Sequence, residues 1–457
     1  MADADSAPRR LLTGWGRTAP TTARVVAPVD PKEVLEAGGS LDGRGIVARG
    51  LGRSYGDAAQ NAGGTVLDMT GVNRIHHVDL DHGTADVDAG VSIDRLLRLL
   101  VPVGWIVPVL PGTRLMTIGG AIASDIHGKN HHRHGSFCRH VVSFDLLTAD
   151  GAVRTVSPDD DAELFWATAG GMGLTGIVVR ATVRLHPIET SSMLVDVERA
   201  SDLDDLLARL ASSDHRYTYS VAWTDLLARG RSLGRSVVAR GWHASLDDLP
   251  PRRRRDPLRF DPRARLAAPP LVPGGLLNRV TVSAFNELWF RKAPRASRRG
   301  LQTLSPYFFP LDSVAGWNRV YGPRGFLQYQ FVVPFGAERE LRTVAERLSA
   351  SGHASFLAVL KRFGEANPGP LSFPMPGWTL AVDLPAGRRA ASLAALLDEL
   401  DELVASAGGR VYLSKDSRLR PELLPDMYPR LDEWRAIRDR VDPEHRFRSD
   451  LARRLSL

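Results

Sequence analysis

RGLGRSYGD, Arg49 to Asp57, and PVLPGTRLMTIGGAIASDIHGKNHH, Pro108 to His132, decide how this chain is read. In the first, Gly50, Gly52 and Gly56 let backbone amides approach an anion closely, and the Ser54 hydroxyl adds a donor, so the loop suits a pyrophosphate. In the second, Pro111-Gly112 sets a turn. Thr117, Gly119, Gly120, Ala121 and Ala123 then form a run poor in side chains, against which a large flat cofactor can lie. Either segment alone also fits a small-residue packing contact; together they point to a cofactor cradle. No G-x-G-x-x-G connects a strand to a helix, which disfavours a Rossmann fold.

Around these segments the pattern is mixed α and β. GIVARGLG (45–52), TVLDM (65–69), HHVDL (76–80) and TADVDAGV (84–91) read as strands. IDRLLRLLVPVG (93–104) has helical spacing and stops at a glycine, and VVSFDLLTADG (141–151) with the following VRTVSP predicts a hairpin turning at Asp150-Gly151. DAELFWATAGGMG (161–173) predicts a helix and LTGIVVRATVRLHPI (174–188) a strand. A second region, about 191–408, carries helices in SDLDDLLARLASS (201–213), ERELRTVAERLSASG (338–352) and SLAALLDELDELVASAGG (392–409). Its strands are RYTYSVAW (216–223), GFLQYQFVVP (325–334), FLAVLKRFG (356–364) and WTLAVDLP (378–385), and alternation puts Thr379, Ala381 and Asp383 on one face of the last.

The length, 457 residues, predicts two or three domains, and 43% hydrophobic with 24% charged residues is a globular balance. Mean hydropathy is −0.15, and no apolar run reaches the 18 or so residues that span a bilayer. The opening MADADSAPRRLLTGW does not read as a secretory signal. Net charge is +7. Its densest local source is PRRRRDPLRFDPRARL (251–266), followed by the apolar AAPPLVPGGLL (267–277); this stretch fits either a loop resting on a membrane surface or a solvated disordered insertion. Cys138 is the single cysteine, so internal disulfides and Cys-ligated clusters are excluded and redox chemistry needs an organic cofactor. His127, His131, His132 and His134 enclose Lys129, which argues against a bound dication and for contact with substrate or phosphate.

The two segments, FWATAGGMGLTGIVVRATV (165–183) and YLSKDSR (412–418) resemble the vanillyl-alcohol-oxidase-type FAD flavoproteins. Within these, RGLGRSYGDAAQN, IHGKNHH, GFLQYQFVVP and MYPRLDEW resemble the decaprenylphosphoryl-β-D-ribose 2′-oxidases, from about Arg49 to Leu457. Those enzymes are the flavin half of a two-protein epimerase that makes the arabinose donor for actinobacterial cell walls. The resemblance implies an α+β, two-domain vanillyl-alcohol-oxidase/PCMH-type FAD-binding fold. Residues 1–190 completed by 409–457 would bind FAD, and 191–408, on an antiparallel sheet with a flexible loop at about 251–277, would bind substrate. By matching position it assigns FAD contacts to Arg49, Gly50, Leu51, Gly52, Arg53, Ser54, Tyr55, Gly56, Asp57 and Asn61, and to Gly112, Thr117, Ile118, Gly119, Gly120, Ser124, Asp125, Ile126, His127, Val178 and Tyr412. It assigns the sugar pocket to Tyr55, His127, Lys129, Trp223, Gln328, Gln330, Lys361, Phe363, Thr379, Ala381 and Lys415.

Three positions depart from the family pattern: Ala381 replaces a cysteine that covalent nitro-aromatic inhibitors trap, Phe308 stands where tyrosine is common with Tyr307 beside it, and Thr379 replaces asparagine. The competing soluble reading is a sugar-lactone or alditol oxidase of the same superfamily, many of which tether FAD through a histidine in a pattern like R-G-x-G-H-S. Arg53 takes its place here, so the expectation is non-covalent FAD. A non-catalytic membrane-associated scaffold is the other alternative.

The expected reaction is oxidation of the 2′-hydroxyl of a prenylphosphoryl ribose, with an NAD-dependent keto-reductase as partner, peripheral contact with the plasma membrane and no nucleic acid. Carbinol oxidation needs a proton acceptor, and Lys415 leads as base or alkoxide stabiliser, with Lys361 as a second cation and Tyr55 and His127 next. The bland alternative for Lys415 is a surface pair with Asp416. Gln328 and Gln330 share one strand face and suit sugar hydroxyls, and Lys129 with the histidines suits the phosphate.

Overall fold

A computed structural model describes residues 7–30, 33, 43–353, 355–387 and 389–457. Residues 1–6 of the opening stretch judged not to be a signal lie outside them.

The first part of the chain forms two sheets. One orders Arg9–Leu12, Thr21–Val26, Thr65–Asp68 and Ile46–Arg49, with the last three parallel. The other orders Ile75–Asp79, Thr84–Asp88, Ile177–Arg184, Val141–Leu147 and Val153–Val156, all antiparallel. The expected hairpin is present: Gly151 turns with a positive φ of 82°, and Thr148 donates to Asp150 Oδ1 at 2.6 Å. Helix Ile93–Leu100 is capped by Ser92, which accepts from Arg95 N at 3.1 Å, and buries Ile93, Leu96, Leu97 and Leu100. A 3-10 turn, Val101–Val103, continues it to Gly104, left-handed at φ 84°, which is the stop the sequence signals.

The second part is one antiparallel sheet of eight strands, in the order Arg298–Thr303, Ser192–Ala200, Ser236–His243, Tyr219–Thr224, Ala358–Phe363, Gly377–Pro385, Phe326–Pro334 and Arg410–Val411. Helices Leu203–Ser213, Glu338–Ser351 and Ala390–Ser406 bury their leucine stripes in the same core as Leu380, Val382 and Leu384. The registers Trp223↔Val359↔Ala381↔Gln330, Lys361↔Thr379 and Gln328↔Asp383 place these side chains on the opposite face of the sheet.

The tail then returns to the first part. Helix Leu431–Val441 sets Trp434 Nε1 on the Ala167 carbonyl at 2.9 Å, Phe447 bridges Ile46, and the last helix, Asp450–Leu455, sends Arg454 to Asp57. No described helix is long and apolar enough to cross a membrane.

The stretch 251–277 differs from a free loop over much of its length. Pro251–Arg254 is a single helical turn. Ser191 holds the carbonyls of Pro257 and Arg259, Arg114 holds that of Pro262 at 2.6 Å, and Leu266–Ala267 pairs with Val314–Ala315. Residues 257–268 are therefore tied to the body although most of them stay exposed to solvent, and Leu271 and Leu276 also stand exposed. Between this stretch and the next sheet strand lies helix Arg279–Lys292, which the strand and helix patterns above leave unmarked.

Candidate active site

A cavity of about 1560 Å³ runs between the two Gly-rich segments and the inner face of the eight-stranded sheet. Sites for one drug-sized ligand are about 300–1,000 Å³, so there is room for a dinucleotide and a second ligand together. The Gly-rich segments touch: a Cβ on Gly50 would strike the Thr117 hydroxyl. Only glycine allows that approach, and it leaves bare backbone facing the cavity. Thr117 also caps helix Ile118–Ala123, accepting from Gly120 N at 3.2 Å.

Of the residues assigned to FAD by resemblance, Gly50 to Tyr55, Gly112, Thr117, Gly120, Ser124, Ile126, His127 and Tyr412 line the cavity. The remainder stand behind that lining, for reasons visible in their bonds. Arg49 reaches the carbonyls of Ala59 at 2.9 Å and Thr13 at 2.8 Å. Asp57 is held by two of the three guanidinium nitrogens of Arg454, and Asn61 donates to Gly45 O at 2.8 Å and accepts from Arg453 at 2.7 Å. Gly56 packs on the Asp416 carbonyl, and Gly119 on Ala89. Ile118 and Val178 are buried core residues. Asp125, at a positive φ of 37°, accepts from Cys138 N and Asn367 and so locks the turn after the helix.

Three lining groups have polar atoms with no protein partner among the described residues: Arg53 Nε, His127 Nδ1 and the Tyr307 hydroxyl. Gln330 Nε2 donates to His127 Nε2 at 2.9 Å, so a neutral His127 carries its proton on Nδ1. Burial, then Lys361, His131 and Lys415, hold that imidazole far below its ordinary pKa, hence neutral. A buried N–H with no partner and a guanidinium open to a glycine-lined cleft are what a polar, anionic cofactor satisfies. The residues present therefore fit FAD. Arg53 itself stacks on Trp15 at 3.8 Å, and Cys138 is buried against the Ile122 carbonyl, outside the lining.

On the sheet side, Trp223, Gln328, Gln330, Lys361, Ala381, Lys129 and Lys415 line the same cavity. Phe363 and Thr379 do not: Phe363 packs with Phe373 and Tyr412, and the Thr379 hydroxyl donates to Phe331 O at 2.8 Å.

The Lys415–Asp416 pair is not formed. Asp416 accepts from the amides of Arg418 and Leu419 and pairs with Arg454 at 2.9 Å, whereas the Lys415 ammonium turns the other way, 3.8 Å from the centroid of the Tyr55 ring. Burial pushes Lys415 down to about 7; Lys361 adds to the fall and Asp383 opposes it. Burial likewise brings Lys361 to about 8, and Lys129, with Lys361 contributing, to about 7. Burial drives the Tyr55 hydroxyl well above its usual pKa, so it stays protonated.

The histidine expectation is corrected. His131 Nδ1 takes the Gly364 amide at 3.1 Å, His132 bonds the Tyr217 carbonyl at 3.0 Å, and His134 packs on His140 and His186, so only His127 reaches the cavity. Lys129 lines the cavity and donates to the Tyr307 carbonyl, with its ammonium 4.2 Å from the centroid of the Tyr307 ring.

Asp383 was outside the assigned pocket. It is buried, accepts from Gln328 and from the Tyr321 hydroxyl at 3.0 Å, and burial raises it to about 7. Its face was legible from alternation in WTLAVDLP; its partners were not.

The FAD binding domain family model matches residues 22–157, and a D-arabinono-1,4-lactone oxidase model matches 381–455, which contain Ala381, Asp383, Tyr412 and Lys415. Over 98% of both chains, this sequence is 50% identical to the decaprenylphosphoryl-β-D-ribose oxidase of Mycolicibacterium smegmatis. The chain belongs to the decaprenylphosphoryl-β-D-ribose oxidase family. It is also 48% identical to an uncharacterized protein of Streptomyces coelicolor, over 80% of this chain and 100% of that one. Cytokinin dehydrogenase 7 of Oryza sativa is 31% identical over 39% of this chain and 36% of its own. This member of the oxidase family is thus an FAD-dependent oxidoreductase of α+β architecture.

Proposed function

We propose that this chain oxidises the 2′-hydroxyl of decaprenylphosphoryl-β-D-ribose to the 2′-keto sugar, the first half of an epimerisation towards an arabinose donor. Family membership supports the substrate class, and one observation carries the chemistry. Lys415 is a part-buried ammonium facing the cavity, brought to about 7 and free of its sequence neighbour Asp416.

When bound, FAD supplies the two-electron acceptor for the hydride leaving the carbinol carbon. Gly50 to Tyr55, Gly112, Thr117 and Gly120, with His127 and Tyr412, would hold it. Lys415 Nζ takes the proton of the 2′-hydroxyl, which a lysine near its ordinary pKa could not do at neutral pH. Lys361 opposes protonation of Lys415 and so keeps it available. Gln328 and Gln330 orient sugar hydroxyls from one strand face, and Trp223, Val359 and Ala381 form a wall that excludes water.

Residues 1–190 with 409–457 form the FAD-binding domain in this reading, and 191–408 the substrate domain. The keto product passes to an NAD-dependent keto-reductase, and the enzyme works at the membrane surface where its lipid substrate resides.

Anaerobic mixing with a prenylphosphoryl ribose, free ribose and an aldonolactone tests the proposal. Bleaching of the flavin band by the prenylphosphoryl sugar alone, with a product two hydrogens lighter, is expected. Bleaching by the lactone or the free sugar in preference would overturn it.

A further inference from the structure

Helix Arg279–Lys292 fastens itself to the body by one face, where Val282 is buried and Asn286 donates to Asp225 at 2.7 Å. Its other face is largely bare: Phe285 meets the Phe356 ring edge-on at 6.0 Å, and the aliphatic side chains beside it have no partner among the described residues. Val280, Ala284 and Leu288 follow one another at four-residue spacing, with Val280 78% and Leu288 71% exposed, and Phe285 and Trp289 stack beside them at 6.2 Å. Leu271 and Leu276, on the segment leading into the helix, are also exposed. A soluble surface scatters such side chains singly; a contiguous group of this size marks a contact.

The charges around it identify the contact. Arg279 and Lys292, at the two ends of the helix, and Arg295 and Arg298, just after it in the chain, make no ion pair among the described residues. The nearest carboxylate on the helix, Glu287, is taken up by Arg235 and Arg291. A partly exposed aromatic pair, aliphatic side chains and a cationic rim form the composition that seats a helix at the interface of an anionic bilayer. The same helix reaches the catalytic cavity, since Phe285, Trp289 and Lys292 line it.

We propose that helix Arg279–Lys292 is the docking element that lays the mouth of the cavity on an anionic lipid surface. In this arrangement the sugar end of a membrane-embedded lipid enters past Phe285 and Trp289 while its apolar tail stays in the bilayer. Entry of the lipid rests on the functional reading above; binding to the bilayer does not.

The test uses the full-length holoenzyme and the double variant Val280→Ser/Leu288→Ser, neither residue lining the cavity. Flotation is measured with vesicles of phosphatidylcholine alone and of phosphatidylcholine with phosphatidylglycerol. Wild type is expected to float with the anionic vesicles, less so as salt rises, and the variant to bind about tenfold or more weakly. Both proteins should reduce flavin equally with a short-chain, water-soluble prenylphosphoryl ribose. Equal vesicle binding by variant and wild type overturns the proposal, as does a wild-type dimer in lipid-free buffer that the two changes dissociate, since that assigns the face to a second copy. Vesicle binding lost by the variant while neither protein reduces flavin with the soluble sugar leaves the docking surface standing and removes the substrate reading. A variant that fails to fold is recognised by lost flavin, and the charge variant Arg279→Glu/Arg295→Glu, at two residues that do not line the cavity, then carries the same comparison.

Discussion

Lys415 and Asp416 leave the backbone on opposite sides of one turn, and that divergence is the chemical centre of the account. Replacing Lys415 by Met keeps the stem and removes the charge; FAD should remain bound and anaerobic flavin reduction should fall by about two to four decades. Retention of the wild-type rate within about threefold would give the proton to another group. In wild type the reduction rate should rise with pH through about 7, as the ammonium loses its proton, and this limb should vanish in Lys415→Met. Stability follows the same group. Folded Lys415 binds its proton more weakly than the unfolded chain does, so the cost of burying the charge stands in full below about 7 and fades as pH climbs towards 10.5. Lys415→Met should therefore be the more stable protein at pH 6 in denaturant titrations, with the advantage shrinking in alkali. The sequence alone could not decide between base and surface pair, because the choice depends on Arg454, which reaches Asp416 from the last helix of the chain.

Strand Gly377–Pro385 shows what alternation can and cannot reveal. It places Thr379, Ala381 and Asp383 on one face, and the registers to Lys361 and Gln328 bear that out. Of the three, Ala381 lines the cavity, Thr379 is turned to the Phe331 carbonyl, and Asp383 is enclosed by Gln328 and Tyr321. Ala381→Cys should consequently gain a covalent mass adduct after turnover with a nitro-aromatic inhibitor, and wild type should form none; an adduct on wild type contradicts the placement. The last helix, Asp450–Leu455, was not marked by any motif, yet its Arg454 joins Asp57 and Asp416. Arg454→Met leaves two mostly buried carboxylates without their cation, at a cost of about 3 kcal/mol, and should loosen FAD in parallel. Unchanged denaturation midpoints would remove this helix from the frame of the site. Helix Arg279–Lys292 escaped the sequence reading for the opposite reason: its apolar residues surround much of the helix instead of forming one inward stripe.

At the scale of the molecule, the glycine segments and the antiparallel sheet were readable because both rest on local rules, a Cβ-free approach and a two-residue period. The cavity was not, since it arises where Thr117 meets Gly50 and where the inner sheet face meets both, contacts between residues far apart in the chain. Arg53 against Trp15 and an enclosed Cys138 leave no nucleophile at the tethering position, so acid or heat should release free yellow flavin from the precipitate. Flavin remaining with the protein would exclude dissociable FAD. The central claim is that hydride leaves C2′ of a lipid-linked ribose. The most direct measurement is anaerobic flavin reduction by a prenylphosphoryl ribose carrying deuterium at C2′, compared with one carrying it at C3′. A primary isotope effect from the C2′ label and none from C3′ is the predicted result; reduction slowed by the C3′ label, or by neither, would contradict it.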